Sequence, residues 1–270
     1  AEEQSVVDEA MWGIGPYLEV LASQDGGDSV ERGSMQTLRP GKWLNDEVIN
    51  YFLKNCLARR DEKLCAKEPG RRRSHFFNSF FMQNMFDAKN NNPQLRGRYN
   101  YKKVGRWSNK VPGKDIFNLK YIFCPINHNN KHWTLAVIFM EAKRIQYYDS
   151  CRSTDWAKLE GLLNYLKDAY RAKHGEELDA TEWKLVSCRR DTPRQRNGEL
   201  YFLVRRLHVT FHLVSFYILL LLALPTFLSF LGFDCGVFTC MFCYFISMDC
   251  LLLFNQDHID RCRDIMAISI

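Results

Sequence analysis

A cysteine that opens an apolar helix is placed for nucleophilic chemistry. Cys235, in Asp234-Cys235-Gly236-Val237-Phe238, is such a residue. At a helix start, unsatisfied N–H groups and the helix dipole favour the thiolate, and Gly236 leaves the backbone free to approach a carbonyl. Thiol hydrolysis also needs a base, a group that orients the base, and donors for the oxyanion. His132 opens the strand-like run His132-Trp133-Thr134-Leu135-Ala136-Val137-Ile138-Phe139, and Asp149 closes Ile145-Gln146-Tyr147-Tyr148-Asp149. If 140–144 turns the chain so that Phe139 faces Arg144, Asp149 falls opposite Thr134 and becomes the diagonal neighbour of His132. Two alternatives stand beside this: a lone strand histidine is more often structural, and a one-residue slip would send Asp149 to the other face.

The other cysteines and histidines have weaker settings. Cys240 and Cys243 lie one and two turns further into the same helix and read as small core residues rather than zinc ligands. His128 falls in an Asn-rich turn. His208 and His212 are spaced like a metal pair but lack a third ligand. No metal site and no cofactor is expected.

The elements that must position the cysteine, histidine and aspartate follow from periodicity. Asn45 or Asp46 can cap a helix in which Val48, Ile49, Phe52, Leu53, Cys56 and Leu57 repeat at three and four. The stretch 59–73, ending in Arg71-Arg72-Arg73, reads as a charged, solvated connector. An apolar element opens at Phe76 and breaks at Asn90-Asn91-Asn92-Pro93. Strands are expected over 121–126, 132–139, 144–149 and 183–188. Asp155 can cap an amphipathic helix that turns Leu159, Leu162, Leu163, Leu166 and Tyr170 inward. Closing helices are expected over 235–249 and 257–268. There is no internal repeat, and helices and strands mix without βαβ regularity, so the class is α+β.

Composition sets the outer limits. The 270 residues hold one large domain or at most two small ones, and 46% apolar against 25% charged residues exclude a disordered chain or a coiled-coil rod. A net charge of +6 suits an acidic protein partner and falls short of a dedicated nucleic-acid binder. Ten cysteines without regular spacing, and no secretory signal, point to reduced thiols. Residues 1–28, acidic and Gly-rich towards their end, read as a flexible lead-in, and 29–270 as the domain proper.

Seven blocks occur in order: Trp43-Leu44-Asn45-Asp46-Glu47-Val48-Ile49-Asn50, Phe77-Asn78-Ser79-Phe80-Phe81, Arg106-Trp107, His132-Trp133, Tyr148-Asp149-Ser150, Gln195-Arg196-Asn197-Gly198 and Asp234-Cys235-Gly236-Val237-Phe238-Thr239-Cys240. Together they resemble the SUMO-specific cysteine protease family (Ulp/SENP type) from about residue 29 to the C-terminus. The resemblance implies a one-domain papain-like cysteine protease fold, with a central mixed sheet flanked by helices. It implies Cys235 as nucleophile, His132 as base, Asp149 as orienting acid and Gln195 as oxyanion donor. It also implies that Trp43 and Trp133 wall a tunnel for the Gly-Gly tail of the modifier, since two indoles leave a slot for a chain without Cβ. Asp46 would contact a basic residue of the modifier, Arg106 and Trp107 would line the same face, and Gly236 would border the tail. The activity implied is cleavage after the Gly-Gly of SUMO, in deconjugation or precursor maturation. The partners are then SUMO and its conjugates, with no nucleic acid required, in a monomer located in the nucleus or also in the cytoplasm. Alternatives are a protease for another ubiquitin-like modifier such as NEDD8, and a catalytically impaired modifier-binding protein.

One stretch departs from the family pattern. In the family, Gln, Asn-Gly and the Cys-Gly pair share a short Q-x-N-G-x-D-C-G segment, whereas here 199–232 intervenes, including the uncharged run 213–231. That run is long enough to span a membrane, but both its ends must return to one site, which a single crossing forbids. A looped-out surface insertion is inexpensive in closure entropy yet exposes a large apolar patch. The favoured reading is a translated intron. Gly198-Glu199-Leu200 can be coded with a splice-donor sequence, Leu228-Ser229-Phe230-Leu231-Gly232 with a pyrimidine tract and acceptor, and removal of 199–232 restores the family spacing. Membrane association is therefore not expected.

Overall fold

The computed structural model describes residues 2–24, 27–87, 89–94, 96–197 and 232–270. The stretch 199–231, with the apolar run, His208 and His212, lies outside the described residues, as does Gly198. Among the described residues no helix is long and apolar enough to cross a membrane.

Alternation of apolar side chains builds the sheet. Strands β3 (His75–Phe76), β4 (Tyr121–Asn127), β5 (Trp133–Phe139), β6 (Arg144–Tyr148) and β7 (Lys184–Val186) lie in that order. The outer pairs β3/β4 and β6/β7 run parallel, and the inner pairs antiparallel. Every residue of the central β5 is buried. Trp133, Leu135, Val137 and Phe139 belong to one core, and Ala136 and Ile138 to a second on the opposite face. Phe139 pairs with Arg144 and Leu135 with Tyr148, the expected hairpin register.

A helix covers each face. Helix α6 (Trp156–His174) starts where Asp155 accepts the Lys158 N–H at 3.2 Å and stops at Gly175, whose φ of 73° suits glycine. It buries Leu159, Leu162, Tyr165, Leu166 and Ala169, whereas Leu163 and Tyr170, expected inward, are half-buried. On the other face lies α7 (Cys235–Ser247), with Val237, Phe238, Cys240, Met241, Phe242 and Cys243 buried. Both inner thiols are core residues, and burial raises the pKa of each. Helix α3 (Asp46–Tyr51) is capped by Asn45, whose side-chain oxygen accepts the Val48 N–H at 3.1 Å.

Two expectations are corrected. The supposed connector 59–73 is largely helical: α3 passes through a π turn (Phe52–Leu57) into α4 (Ala58–Lys67). Polar contacts replace the missing apolar stripe there. Asp61, 1% exposed, accepts the Ser74 N–H at 2.8 Å, and the Arg60 guanidinium stacks 3.8 Å above the Tyr244 ring. Residues 1–28 are not simply a flexible lead-in. Helix α1 (Glu2–Trp12) buries Val7, Ala10 and Met11, and β1 (Val20–Ser23) pairs with β2 (Ser29–Glu31). Buried Arg32, which opens the short helix α2 (Arg32–Met35), ties this region down through Glu9 and Glu19, each at 2.8 Å.

Candidate active site

The open end of the β5–β6 hairpin and the start of α7 meet at one end of the sheet. Continuing the register one step beyond Leu135↔Tyr148 sets Asp149 opposite Thr134 and diagonal to His132. The His132 Nε2–H donates to Asp149 Oδ1 at 2.7 Å. Asp149 is fully buried, and it also accepts from the Cys151 N–H at 2.8 Å, the Ser153 N–H at 3.0 Å and the Ser153 hydroxyl. Burial opposes its charge, yet these donors and His132 hold its pKa below the ordinary carboxylate value. For His132, burial would lower the pKa. Hydrogen bonds to Asp149, Cys151 and Cys235, with the carboxylate charge, outweigh it and push the pKa up to about 12. An imidazolium beside a cysteine favours the thiolate.

Cys235 is the first residue of α7 and fully buried. Its sulfur accepts the Trp133 N–H at 3.3 Å, which ties the helix start to the strand carrying His132. Gly236 has a packing reason to be glycine: an added Cβ would meet Leu44 Cβ at 3.0 Å. Trp133 is buried and donates its indole N–H to Leu44 O at 3.2 Å, so one expected tunnel wall is tied beside the other, half-buried Trp43.

Gln195 is brought to the same end by Ser150. The Gln195 N–H donates to Ser150 O at 3.0 Å, and the Ser150 hydroxyl to Gln195 Oε1 at 3.0 Å. The amide Nε2 turns to Asn197 O at 3.5 Å, and Asn197 donates in turn to Asp234. Asn197 and Gly232, the described residues on either side, therefore meet at the site. A Cβ on Gly232 would lie 2.3 Å from Gln195 Nε2 and 3.2 Å from Asn197 O.

The other residues singled out in the sequence have surroundings of their own. Trp107 packs on Phe81 of helix α5 (Phe80–Met85) and on Phe77, with ring centroids 5.5 and 6.0 Å away, so it is a packing aromatic of the second core. Arg106 lines a surface cavity with Tyr101, Phe117 and Lys173. Asp46 is half-buried at the first turn of α3. His128 bonds Thr134 Oγ1 at 2.9 Å and Tyr147 OH at 3.0 Å, and burial lowers its pKa.

Arg263, in the closing helix α8 (Ile259–Ser269), had no local sequence signal. It is 1% exposed and donates to Asp234 Oδ1 at 2.6 Å. It also donates to the carbonyls of Thr37, Leu38, Arg39 and Lys42 at 3.0–3.3 Å. One guanidinium thus holds the residue before Cys235 against the segment leading to Trp43. Arg263→Met is expected to lower unfolding free energy by about 3–5 kcal/mol, because Asp234 is left as an uncompensated buried charge. Denaturant titration reads this directly, and a loss below about 1 kcal/mol would show that the clamp contributes little.

The Ulp1 protease family, C-terminal catalytic domain, matches residues 42–199. The chain is 38% identical over 166 residues to Ubiquitin-like-specific protease 1A of Arabidopsis thaliana, covering 61% of this chain and 30% of that protein. It is 30% identical over 259 residues to Sentrin-specific protease 2 of Homo sapiens, covering 96% and 34% respectively. The chain thus spans about a third of the length of these curated relatives. A solved structure described as the SUMO protease Ulp1 with its catalytic cysteine oxidised to a sulfenic acid superposes with a TM-score of 0.65 at 25% identity. It covers 99% of this chain and 92% of its own. The fold is the expected papain-like one, a mixed sheet with flanking helices.

Proposed function

The chain belongs to the Ulp1 protease family, and on that premise we propose that it is a cysteine isopeptidase cleaving after the C-terminal Gly-Gly of SUMO. The observation that carries the reading is the bond at 2.7 Å from half-buried His132 to the buried Asp149 carboxylate, set beside a thiol whose sulfur is held by the Trp133 N–H. Cys235 attacks the glycine carbonyl carbon as thiolate. The tetrahedral oxyanion takes the N–H groups at the start of α7, and the Gln195 amide where Nε2 is released from Asn197 O. His132, protonated and oriented by Asp149, gives its proton to the departing lysine amine. A water then deprotonated by His132 hydrolyses the thioester and frees the modifier. Relatives described as SUMO or sentrin proteases support the choice of SUMO as modifier.

Tail-reactive SUMO, NEDD8 and ubiquitin probes, offered separately to the chain, test this. Labelling of Cys235 by SUMO alone is the expected result. Labelling by NEDD8 alone would reassign the modifier, and SUMO binding without labelling would mean a modifier-binding protein.

Trp133→Leu keeps most of the buried volume but opens the tunnel wall. Turnover is expected to fall about a hundredfold, because a misplacement near 1 Å at the scissile carbonyl costs that much. SUMO affinity, set by the wider surface, should change much less. A loss confined to affinity would remove Trp133 from the tunnel.

A further inference from the structure

Cys151 is not needed for the chemistry above, yet it stands within it. Among the described residues, His132, Asp149 and Cys151 form a group whose ligand-type atoms all lie within 4.8 Å of one another. Cys151 is half-buried, and its own N–H is fixed on Asp149 Oδ1 at 2.8 Å, so its backbone is anchored to the carboxylate. The donor set is one imidazole nitrogen, one carboxylate oxygen and one thiol sulfur, the mixture that zinc accepts.

We propose that His132, Asp149 and Cys151 form an inhibitory site for a zinc-type divalent cation. This is a regulatory ion and not a cofactor, and only its inhibitory consequence rests on the protease reading. Tetrahedral bonds of about 2.0 Å to nitrogen and oxygen and 2.3 Å to sulfur require modest side-chain rotations from the present positions. The cation replaces the Nε2 proton of His132 and the Cys151 thiol proton, and both protons pass to solvent. Asp149 is already ionised. A water completes the coordination. Inhibition follows from the imidazole: with Nε2 bound to metal, its one remaining proton sits on Nδ1, so the ring cannot exchange protons as acid and base. Asp149 is also drawn away from orienting it.

Two readouts separate this site from the protease reading. The first is inhibition by Zn²⁺ of SUMO-probe labelling. Referred to its own metal-free labelling rate, Cys151→Ser should require about 100-fold more Zn²⁺ for half-inhibition, since losing a ligand costs at least as much as losing an outer-shell partner. Inhibition unchanged in Cys151→Ser would overturn the site. The second is binding alone, by calorimetry with Zn²⁺ and by the thiolate–cobalt absorption band with Co²⁺, in Cys235→Ser. One equivalent should bind there and be lost in Cys151→Ser/Cys235→Ser. Such binding in a chain that labels with no modifier would uphold the site while the protease reading fails. Equal binding by the double variant would overturn it.

Discussion

Replacement of Cys235 by serine is expected to abolish covalent capture of a SUMO tail probe while leaving SUMO affinity within severalfold. The surroundings explain why the two separate. Asp149 keeps all its donors, so the His132 orientation survives. The Trp133 N–H can donate to Oγ as it does to Sγ. What is lost is the thiolate, since a serine hydroxyl is far harder to ionise than a thiol. Removing a nucleophile from such a constellation costs on the order of 10⁴-fold or more in turnover. Turnover of a SUMO conjugate and calorimetric affinity, measured on the same preparation, decide the matter. Unimpaired cleavage would remove Cys235 from the reaction.

How much of this was legible in the chain depends on which force placed each residue. The hairpin could be read because every β5 residue is buried, and a slip from the Phe139–Arg144 register would invert both faces. His132 and Asp149 come together through that register. The caps at Asn45 and Asp155 were legible for a similar reason, since each is a local bond to a backbone N–H three residues on. Helix α4 was hidden because its inner contacts are polar: Asp61 and Arg60 are held by hydrogen bonds and a ring face, which periodicity of apolar residues cannot register. In α1, the acidic composition obscured the inward set Val7, Ala10 and Met11, although they stand at helical spacing. Arg263 acts through distant partners, so nothing local marks it. The places of Trp107 and Gly236 show the limit of motif reasoning: a shared block says that a residue belongs, and packing says what it does there.

Excision of 199–232 is expected to raise turnover by about 10²–10³-fold and to improve soluble yield. The reason lies in the described residues on either side. Ser150 fixes the Gln195 amide plane through Oε1, leaving Nε2 as the free donor face. In the present chain that face is occupied: Nε2 points at Asn197 O, and the backbone of Gly232 lies so close that a Cβ there would fall 2.3 Å away. An oxyanion cannot take a donor that is already covered, and loss of one such donor costs about 2.7–4 kcal/mol of transition-state stabilisation. Excision removes Gly232 and joins Gly198 to Phe233. The Asn197–Asp234 bond already holds the two sides together, so the shorter link need not rearrange them. Both chains are to be assayed on one SUMO conjugate, with Gln195→Ala introduced into each. In the excised chain Gln195→Ala should lower turnover by about 10²-fold or more, and in the longer chain it should change little. Equal activity of the two parent chains would mean that the inserted stretch is accommodated and would deprive the intron reading of its functional support. Full activity of the longer chain in detergent alone would make the apolar run a membrane element. A Gln195→Ala loss of equal size in both chains would show that Gly232 yields when substrate binds, and that the oxyanion donor was never withheld.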